Sequence, residues 1–281
     1  MEIFYTQQAL DLFLEKQRNQ GKKVALVPTM GALHEGHISL IEFAKPLADC
    51  IVCSIFVNPT QFNDPKDLEK YPRPIERDIE LLENAACDVL FMPSAEEMYP
   101  QNDEKWEIDL GNLDQIWEGE HRPGHFQGVT QIVYKLFKLV KPDMACFGQK
   151  DFQQVMVIQK MIDIKNLPVQ LIICPTVRSD EGLALSSRNE RLSAQGLETA
   201  LILSKTLNFI KANFGEVNIT ELKALAIDQL NADKEVALEY FAICETTTLE
   251  EAKEILPGKK YVALVVAKID QVRLIDNMLL N

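Results

Sequence analysis

Two histidines stand three residues apart in the stretch VPTMGALHEGH, which follows the apolar run VALV. If that run is a buried strand and a helix begins near Glu35, His34 and His37 lie on one side of the helix start. An imidazole can donate a hydrogen bond to a phosphate oxygen, and a protonated imidazole adds positive charge. A helix start adds main-chain N–H groups and a positive dipole end, and Gly31 and Gly36 let the backbone turn sharply beside a ligand. The stretch therefore predicts an anion-binding turn; the alternative is a pair of surface histidines in a polar turn.

A lysine follows another predicted strand in MACFGQKDFQQV. Gly148 closes the strand, and Lys150 and Asp151 stand where the next helix should begin. A lysine at the ligand edge of a sheet is a natural partner for phosphate charge. Asp151 is equally explained as a cap of that helix.

Hydroxyl and guanidinium groups are concentrated in VRSDEGLALSSRNERLS. Ser186, Ser187 and Arg188 offer a set of donors that suits a polyphosphate. We expect a mobile polar loop here, although an ordinary linker also contains such residues.

Two further stretches carry polar side chains near predicted strand ends. Asn58 and Gln61, in FVNPTQF, are amides at the same sheet edge and are able to bind a small polar molecule. Arg122 and His125, in EGEHRPGHFQGV, either line a pocket or stabilise a turn. Asp78, in ERDIELL, either helps to position a metal or caps its own helix.

Short apolar runs alternate with helical patterns over the first two thirds of the chain. The predicted strands are KVALVP, IVCSIFV, DVLFMP, MACFG and QLIICP, and the predicted helices are GHISLIEFAKPLA, RPIERDIELLENA, QIVYKLFKLV and DFQQVMVIQKMID. Continuous apolar strands separated by helices indicate a parallel sheet that is covered on both faces. The fold class is α/β, with a Rossmann-like doubly wound sheet whose ligands lie at the carboxyl ends of its strands.

The pattern changes after about residue 176. Two long amphipathic helices follow, one capped by Ser193 and one in which Asn218 and Glu221 have capping spacing. Next come the strand LEYFAIC, a short helix around LEEAKEI, and the strands KYVALVVAKI and QVRLID, whose short links suggest an antiparallel sheet. We expect residues 1–176 to form the Rossmann-like domain and residues 177–281 to form a smaller α+β domain.

Composition excludes some classes of function. The net charge of −13 repels nucleic-acid phosphate and anionic lipid, so neither is an expected partner. No segment has the 18 to 20 unbroken apolar residues of a membrane helix, and the N-terminus lacks the basic head of a signal peptide. A cytoplasmic location with reduced thiols follows.

Six cysteines are scattered, mostly in apolar runs, and Cys50 and Cys53 form a C-x-x-C pair. Such a pair can bind zinc or carry out redox chemistry. No second pair with ligand spacing accompanies it, so we interpret both as buried core thiols.

The H-x-G-H turn resembles the phosphate-binding signature of the nucleotidyltransferase superfamily. PTMGALHEGH, FVNPTQF, YPR, RPGHF, GQKDFQQ and GLALSSRN together resemble the pantoate–β-alanine ligase family in order and spacing over essentially the whole chain. The resemblance implies ligation of (R)-pantoate and β-alanine to pantothenate through a pantoyl adenylate, with release of AMP and pyrophosphate. It also implies ATP as a substrate, Mg²⁺ accompanying the nucleotide, and a homodimer. Residues 1–176 would bind the nucleotide and pantoate, and residues 177–281 would close over the active site.

The same resemblance implies roles for particular residues. The catalytic set would be His34, His37, Lys150, Ser186, Ser187 and Arg188, with His37 as the proton donor. Gln61 and Gln154 would bind pantoate, and Gln61 would also contact β-alanine; no metal ligand is assigned. The ATP-binding set would be Met30, Gly31, Ala32, Leu33, His34, Glu35, Gly36, His37, Gly148, Gln149, Lys150, Asp151, Val177, Leu185, Ser186, Ser187 and Arg188.

The sequence departs from the family pattern at three positions. Glu181 stands where Asp is usual, Gln127 where Arg is common, and Pro74 where Thr is usual. None of them has a role assigned to phosphate or pantoate. Two other functions fit parts of the pattern: an adenylyltransferase that moves AMP onto a phosphorylated acceptor, and a catalytically inactive nucleotide sensor.

Overall fold

The structure, a computed structural model, describes all 281 residues and divides into two compact units. The first unit comprises Met1–Gly148 and Gln153–Pro175, and the second comprises Gln149–Phe152 and Thr176–Asn281. The turn Gln149–Phe152 thus groups with the second unit, although it precedes residue 176 in the chain.

A six-stranded, all-parallel sheet forms the centre of the first unit, in the order β1-β4-β3-β2-β5-β6. Its strands are β1 Glu2–Phe4, β2 Val24–Thr29, β3 Cys50–Ile55, β4 Val89–Phe91, β5 Met144–Gly148 and β6 Gln170–Cys174. Its helices are α1 Gln7–Asn19, α2 Glu35–Ala44, α3 Pro65–Lys70, α4 Ile75–Asn84, α5 Ala95–Met98, α6 Glu118–His121, α7 His125–Val140 and α8 Phe152–Lys165.

The apolar runs explain the architecture of this sheet. All six residues of β3 and the first four of β2 are buried, because helices cover both faces of a doubly wound sheet. The predicted fold class and its five strands are confirmed. The edge strand β1 was not predicted; it is only three residues long and pairs with β4, from Glu2 opposite Val89 to Phe4 opposite Phe91.

The second unit has its own core beneath a three-stranded antiparallel sheet, in the order β7-β8-β9. Its strands are β7 Ala237–Glu245, β8 Tyr261–Ile269 and β9 Val272–Leu279, and its helices are α9 Ala194–Asn213 and α10 Ile219–Asn231. The predicted caps are confirmed: Ser193 Oγ accepts from Gly196 N at 3.0 Å, and Asn218 Oδ1 accepts from Glu221 N at 2.9 Å. No helix in either unit, α9 included, has the length and apolar character to cross a bilayer.

The predicted short helix around LEEAKEI is wrong. Leu249 has a left-handed backbone, with φ of 57°, and the chain turns back along β7. Glu245 N then donates to Glu250 O at 3.1 Å, and Ala252 N donates to Ile243 O at 2.8 Å. Glu250 O and Ala252 N thus bond to the strand instead of to a helix of their own.

All six cysteines are free and buried, which confirms the core-thiol interpretation of Cys50 and Cys53. Burial raises the pKa of Cys50 and the pKa of Cys87 to about 11, and it raises the pKa of Cys53 well above its usual value. A raised pKa keeps these three thiols neutral at pH 8, and only the thiolate reacts readily.

We therefore expect iodoacetamide at pH 8 to modify these three cysteines at least about 10-fold more slowly in the folded protein than in denaturant. Mass spectrometry of timed samples measures the reaction. Rapid labelling of Cys50 or Cys53 in the native protein would contradict the buried, protonated assignment.

Candidate active site

Two neighbouring strands bring candidate residues to one edge of the first unit's sheet. β2 pairs with β5, with Ala25 opposite Met144 and Leu26 opposite Ala145, and the order of the sheet reverses there. Met30–His37 follow the carboxyl end of β2, and Gly148 ends β5. This is the topological switch point at which doubly wound sheets bind ligands.

The two histidines cap the helix that they begin. His34 is the N-cap of α2, and its Nδ1 accepts from Gly36 N at 3.1 Å. His37 Nδ1 in turn accepts from His34 N at 3.3 Å, which completes a reciprocal capping box. The two ring centroids lie 4.1 Å apart, and both side chains are half-buried. The predicted juxtaposition of the two imidazoles is confirmed.

This capping changes which donors the turn offers. Nδ1 of each ring accepts a hydrogen bond and therefore carries no proton. The ring proton is then on Nε2, which is the nitrogen that can donate to a ligand. The N–H groups of Gly36 and His37 are already engaged with His34, so the expectation of several free main-chain donors at this helix start is wrong for those two. Gly31 has a left-handed backbone, with φ of 81°, which fits the sharp turn expected there, whereas Gly36 lies within the first turn of α2.

A buried aspartate holds the turn from behind. Asp78, in α4, is fully buried, and its carboxylate accepts from Ala32 N at 2.8 Å and from Leu33 N at 2.7 Å. Charge-assisted hydrogen bonds of this kind are about twice as strong as neutral ones. They stabilise the left-handed Ala32, with φ of 51°. Asp78 is thus the support of the histidine turn, and it does not serve its own helix as an N-cap, since Pro74 occupies that position.

The amide of Gln61 is oriented by its neighbours. Gln61 lies in a short 3₁₀ turn, Pro59–Gln61, and is 9% exposed. Its Oε1 accepts from Asn58 Nδ2 at 3.1 Å, and its Nε2 lies 3.0 Å from Met30 Sδ. Asn58 is buried and its Oδ1 accepts from Tyr99 OH at 2.7 Å. The pKa of Tyr99 is raised to about 12 by burial, so this hydroxyl stays a donor at neutral pH.

The start of α7 fixes the backbone of the same turn. His125 is buried, with its Nδ1 2.8 Å from Gln61 O, so its role in the structure is to hold the turn. A Cβ placed on Gly128 would lie 2.3 Å from Thr60 O, so only glycine allows α7 to come this close. Arg122 pairs with Glu118 at 3.9 Å.

The adjacent glutamines of α8 have different environments. Gln153 is 4% exposed; it donates to Leu113 O at 2.8 Å and to Ile116 O at 2.9 Å, and it accepts from Glu118 N. Gln153 is therefore part of the core. Gln154 is half-buried, which leaves it as the member of the pair that is able to meet a ligand.

In the second unit, Lys150 lies in the 3₁₀ turn Gln149–Asp151, and its side chain is 17% exposed with Nζ 3.9 Å from the Asp151 carboxylate. Asn277 of β9 holds this turn by donating to Gln149 O at 2.9 Å and to Lys150 O at 2.8 Å. The position of the lysine is therefore set by the C-terminal strand.

The stretch that contains Val177 and Leu185–Arg188 is folded back on itself. Leu185 N donates to Val177 O at 3.0 Å, and the backbones of Arg178 and Ala184 pair in an isolated antiparallel β-bridge. The 3₁₀ turn Ser187–Arg191 follows, with Ser186 Oγ accepting from Arg188 N at 3.3 Å. The expected polar loop is thus held by its own hydrogen bonds and ends in a 3₁₀ turn, and its mobility stays a prediction.

Two of the candidate ATP-binding residues help to set the shape of the histidine turn and offer no free main-chain donor to a ligand. Ala32 and Leu33 are buried and their N–H groups are held by Asp78, whereas Glu35 is exposed. Sequence patterns missed the supporting roles of Asp78 and Asn277. The one signal for Asp78 is its position four residues before Leu82, on the buried side of a helix that is otherwise largely polar. Asn277 directly follows the predicted strand QVRLID and carries no such signal.

An α/β fold with paired imidazoles at the carboxyl edge of a parallel sheet defines a candidate anion-binding protein of the doubly wound class. Comparison with known proteins specifies the family. The profile described as Pantoate-beta-alanine ligase matches residues 2–279, so the chain belongs to that family.

Individual relatives agree over their full length. The pantothenate synthetase of Christiangramia forsetii is 44% identical over 282 residues, which cover 100% of both chains. The crystal structure of pantothenate synthetase from Thermus thermophilus superposes with a TM-score of 0.93 at 39% identity, covering 99% of each chain. The Francisella tularensis pantoate-beta-alanine ligase, solved with beta-gamma ATP and beta-alanine, has a TM-score of 0.81 at 35% identity and covers 99% of this chain and 97% of its own.

These matches make the chain an enzyme of the ligase class that joins pantoate to β-alanine in an ATP-dependent reaction. The adenylyltransferase and the inactive sensor are not favoured.

Proposed function

We propose that the chain activates pantoate as an acyl adenylate and then transfers the pantoyl group to β-alanine. A pantoate carboxylate oxygen attacks the α-phosphorus of ATP, and the bond to pyrophosphate breaks. The β-alanine amine then attacks the acyl carbon, loses a proton, and releases AMP. The observation that carries the proposal is the pair of imidazoles 4.1 Å apart at the start of α2, in a chain that matches this family end to end.

In this proposal, the phosphate-binding residues neutralise charge that develops on the leaving pyrophosphate. In the first unit, His34 and His37 donate through Nε2, and Asp78 supports their turn. In the second unit, Lys150 and Arg188 supply positive charge, with Ser186 and Ser187 as hydroxyl donors. Preorganised donors of this type are usually the largest catalytic contribution.

The remaining members of the ATP-binding set follow the ends of β2, β5 and β6, and we assign them to the nucleotide. They are Met30, Gly31, Ala32, Leu33, Glu35, Gly36, Gly148, Gln149, Asp151, Val177 and Leu185. The space beside Gly148 supports this assignment, because a Cβ there would meet nothing within 4 Å.

We assign Mg²⁺ to the phosphates of ATP and not to a resident protein site. No group of three or more His, Cys, Asp or Glu side chains lies together in a way that could hold a metal ion. Mg²⁺ in nucleotide sites commonly takes most of its ligands from phosphate and water. Both Asp78 oxygens already accept main-chain N–H groups, which disfavours Asp78 as a direct ligand. When bound, Mg²⁺ supplies charge neutralisation on the phosphates.

The discriminating assay follows labelled pyrophosphate into ATP with and without pantoate. The ligase exchanges label only with pantoate, and it releases free AMP when β-alanine is added. AMP retained on a product, with no effect of β-alanine, would identify an adenylyltransferase. Tight ATP binding without exchange would identify a sensor.

Gln61→Ala should raise the pantoate concentration needed for half-maximal exchange by about 10- to 100-fold, the usual contribution of a hydrogen bond to a charged group. The ATP requirement should change little. Steady-state exchange kinetics measure both values. The control is Gln159→Ala, which removes a glutamine of α8 whose amide bonds to Asp163. An unchanged pantoate requirement would remove Gln61 from the pantoate assignment.

Three expectations from the sequence stay predictions: a homodimer, a cytoplasmic location, and closure of residues 177–281 over the site.

A further inference from the structure

Two consecutive residues of β9 hold both of the second unit's candidate phosphate-binding elements. Asp276 is 5% exposed and Asn277 is 2% exposed, in a strand whose other buried residues are apolar. The 3₁₀ turns Gln149–Asp151 and Ser187–Arg191 both pack against this strand. Buried polar side chains are retained only where their hydrogen bonds are made, so the partners of these two residues indicate what they do.

The side chain of Asn277 bonds with the Lys150 turn. Nδ2 donates to Gln149 O at 2.9 Å and to Lys150 O at 2.8 Å, and Oδ1 accepts from Gln149 Nε2 at 3.3 Å. One amide thus uses both donors and its acceptor on a turn that lies 127 residues away in the sequence. Because two successive carbonyls of this turn face the same amide, Asn277 sets the position of the turn.

Asp276 holds the neighbouring element through an arginine. Its carboxylate accepts two hydrogen bonds from Arg178, at 2.6 Å from Nη1 and 2.8 Å from Nη2. Nη1 also donates to Gly182 O at 3.2 Å, which fixes the turn that leads to Ser186. The bidentate geometry defines the orientation of the arginine as well as its position.

We propose that Asp276 and Asn277 are positioning residues that hold Lys150 and the Ser186–Arg188 segment on one strand as a single preorganised phosphate-binding element. The inference rests on the proposed function, because Asp276 and Asn277 matter for the reaction only if Lys150 and the Ser186–Arg188 segment bind phosphate. Neither residue touches substrate in this proposal. A carbonyl shift near Lys150 of about 1 Å is enough to lower the rate by about 10²-fold.

The test is a double-mutant cycle on pantoate-dependent pyrophosphate exchange. Asn277→Ala should slow exchange by about 10- to 100-fold and leave the pantoate KM within about 2-fold, because neither residue contacts pantoate in this proposal. In a Lys150→Ala background, the same substitution should change the rate by less than about 2-fold, because the group it positions is already absent. Equal effects of Asn277→Ala in both backgrounds would overturn the proposal.

Asn281→Ala is the matched control, because Asn281 makes the same kind of bonds in the same unit, donating to Lys259 O at 3.0 Å and accepting from Tyr261 N at 2.8 Å. It should keep wild-type exchange. If Asn277→Ala does not fold, Asn277→Ser, which keeps one donor, enters the same cycle. For Asp276, Asp276→Asn is compared with Glu239→Gln, which weakens the Arg273 ion pair of the same sheet; equal losses in the two variants would overturn the role of Asp276.

The cycle also separates this inference from the proposed function. If Lys150→Ala alone leaves exchange unchanged, the role of Lys150 fails, and the positioning of Lys150 fails with it. If Lys150→Ala slows exchange and Asn277→Ala does not, only the inference fails.

Discussion

Replacing Lys150 with alanine should slow pantoate-dependent exchange of pyrophosphate into ATP by about 10²- to 10³-fold, the usual loss for one preorganised donor. The side chain is only 17% exposed, so its charge acts in a partly desolvated environment where electrostatic interactions are stronger than in bulk water. Exchange isolates adenylate formation, because β-alanine is omitted. Rapid-quench measurement at saturating ATP and pantoate separates this effect from weaker binding.

The control for this variant is Lys160→Ala, which removes an exposed lysine from α8. It should leave exchange unchanged. If the two variants behave alike, Lys150 has no special role in adenylate formation. His37→Ala should show a loss of similar size by the same donor-deletion argument; a near-wild-type rate there would contradict the role of the imidazole.

Asp78→Asn should impair both the fold and the reaction. An asparagine has one carbonyl oxygen, so its NH₂ group must face either Ala32 N–H or Leu33 N–H, donor against donor. Loss of a buried charge-assisted bond should lower the free energy of unfolding by about 2 kcal/mol. The loosened turn should slow exchange by about 10- to 100-fold. Denaturant titration and exchange kinetics measure the two effects.

Asp143→Asn provides the matched comparison. Asp143 Oδ2 accepts from Val24 N at 2.7 Å, which is the same type of bond at the opposite end of β2. We expect Asp143→Asn to reduce stability without slowing exchange in the folded protein. If Asp78→Asn loses stability but folded enzyme exchanges at the wild-type rate, the support of the histidine turn by Asp78 is structural only.

The sequence predicts a strand or helix well where the pattern of apolar residues matches the pattern of burial in the fold. The strands β2, β3 and β5 are apolar along most of their length, because their neighbours in the sheet and the helices leave no polar environment. The edge strand β6 is also apolar in sequence, although Ile173 is exposed. β1 and LEEAKEI have no such constraint. The first is a three-residue edge strand, and the second has a helical composition but turns back because its backbone pairs with β7. Tertiary hydrogen bonds, which no local pattern reports, decide both.

The same limit applies to the site. The spacing of His34 and His37 predicts that they lie together, since residues three apart at the start of a helix are neighbours on one face. The capping box that the two rings form was not predicted, and both the box and the resulting choice of Nε2 as donor depend on actual distances. The contact between Asp78 and Leu33 spans 45 residues, and the contact between Asn277 and Lys150 spans 127. Such supports become visible only when the chain is folded.

The burial of every native thiol has a practical consequence for spectroscopy. All six cysteines are buried, and burial raises the pKa of Cys50 and of Cys87 to about 11, so maleimide dyes should react only slowly with the folded wild-type chain. A cysteine introduced at an exposed position such as Lys160 would then accept a fluorophore without removal of the native six. With one introduced cysteine on each unit, the transfer of energy between two fluorophores would report changes in their separation during turnover.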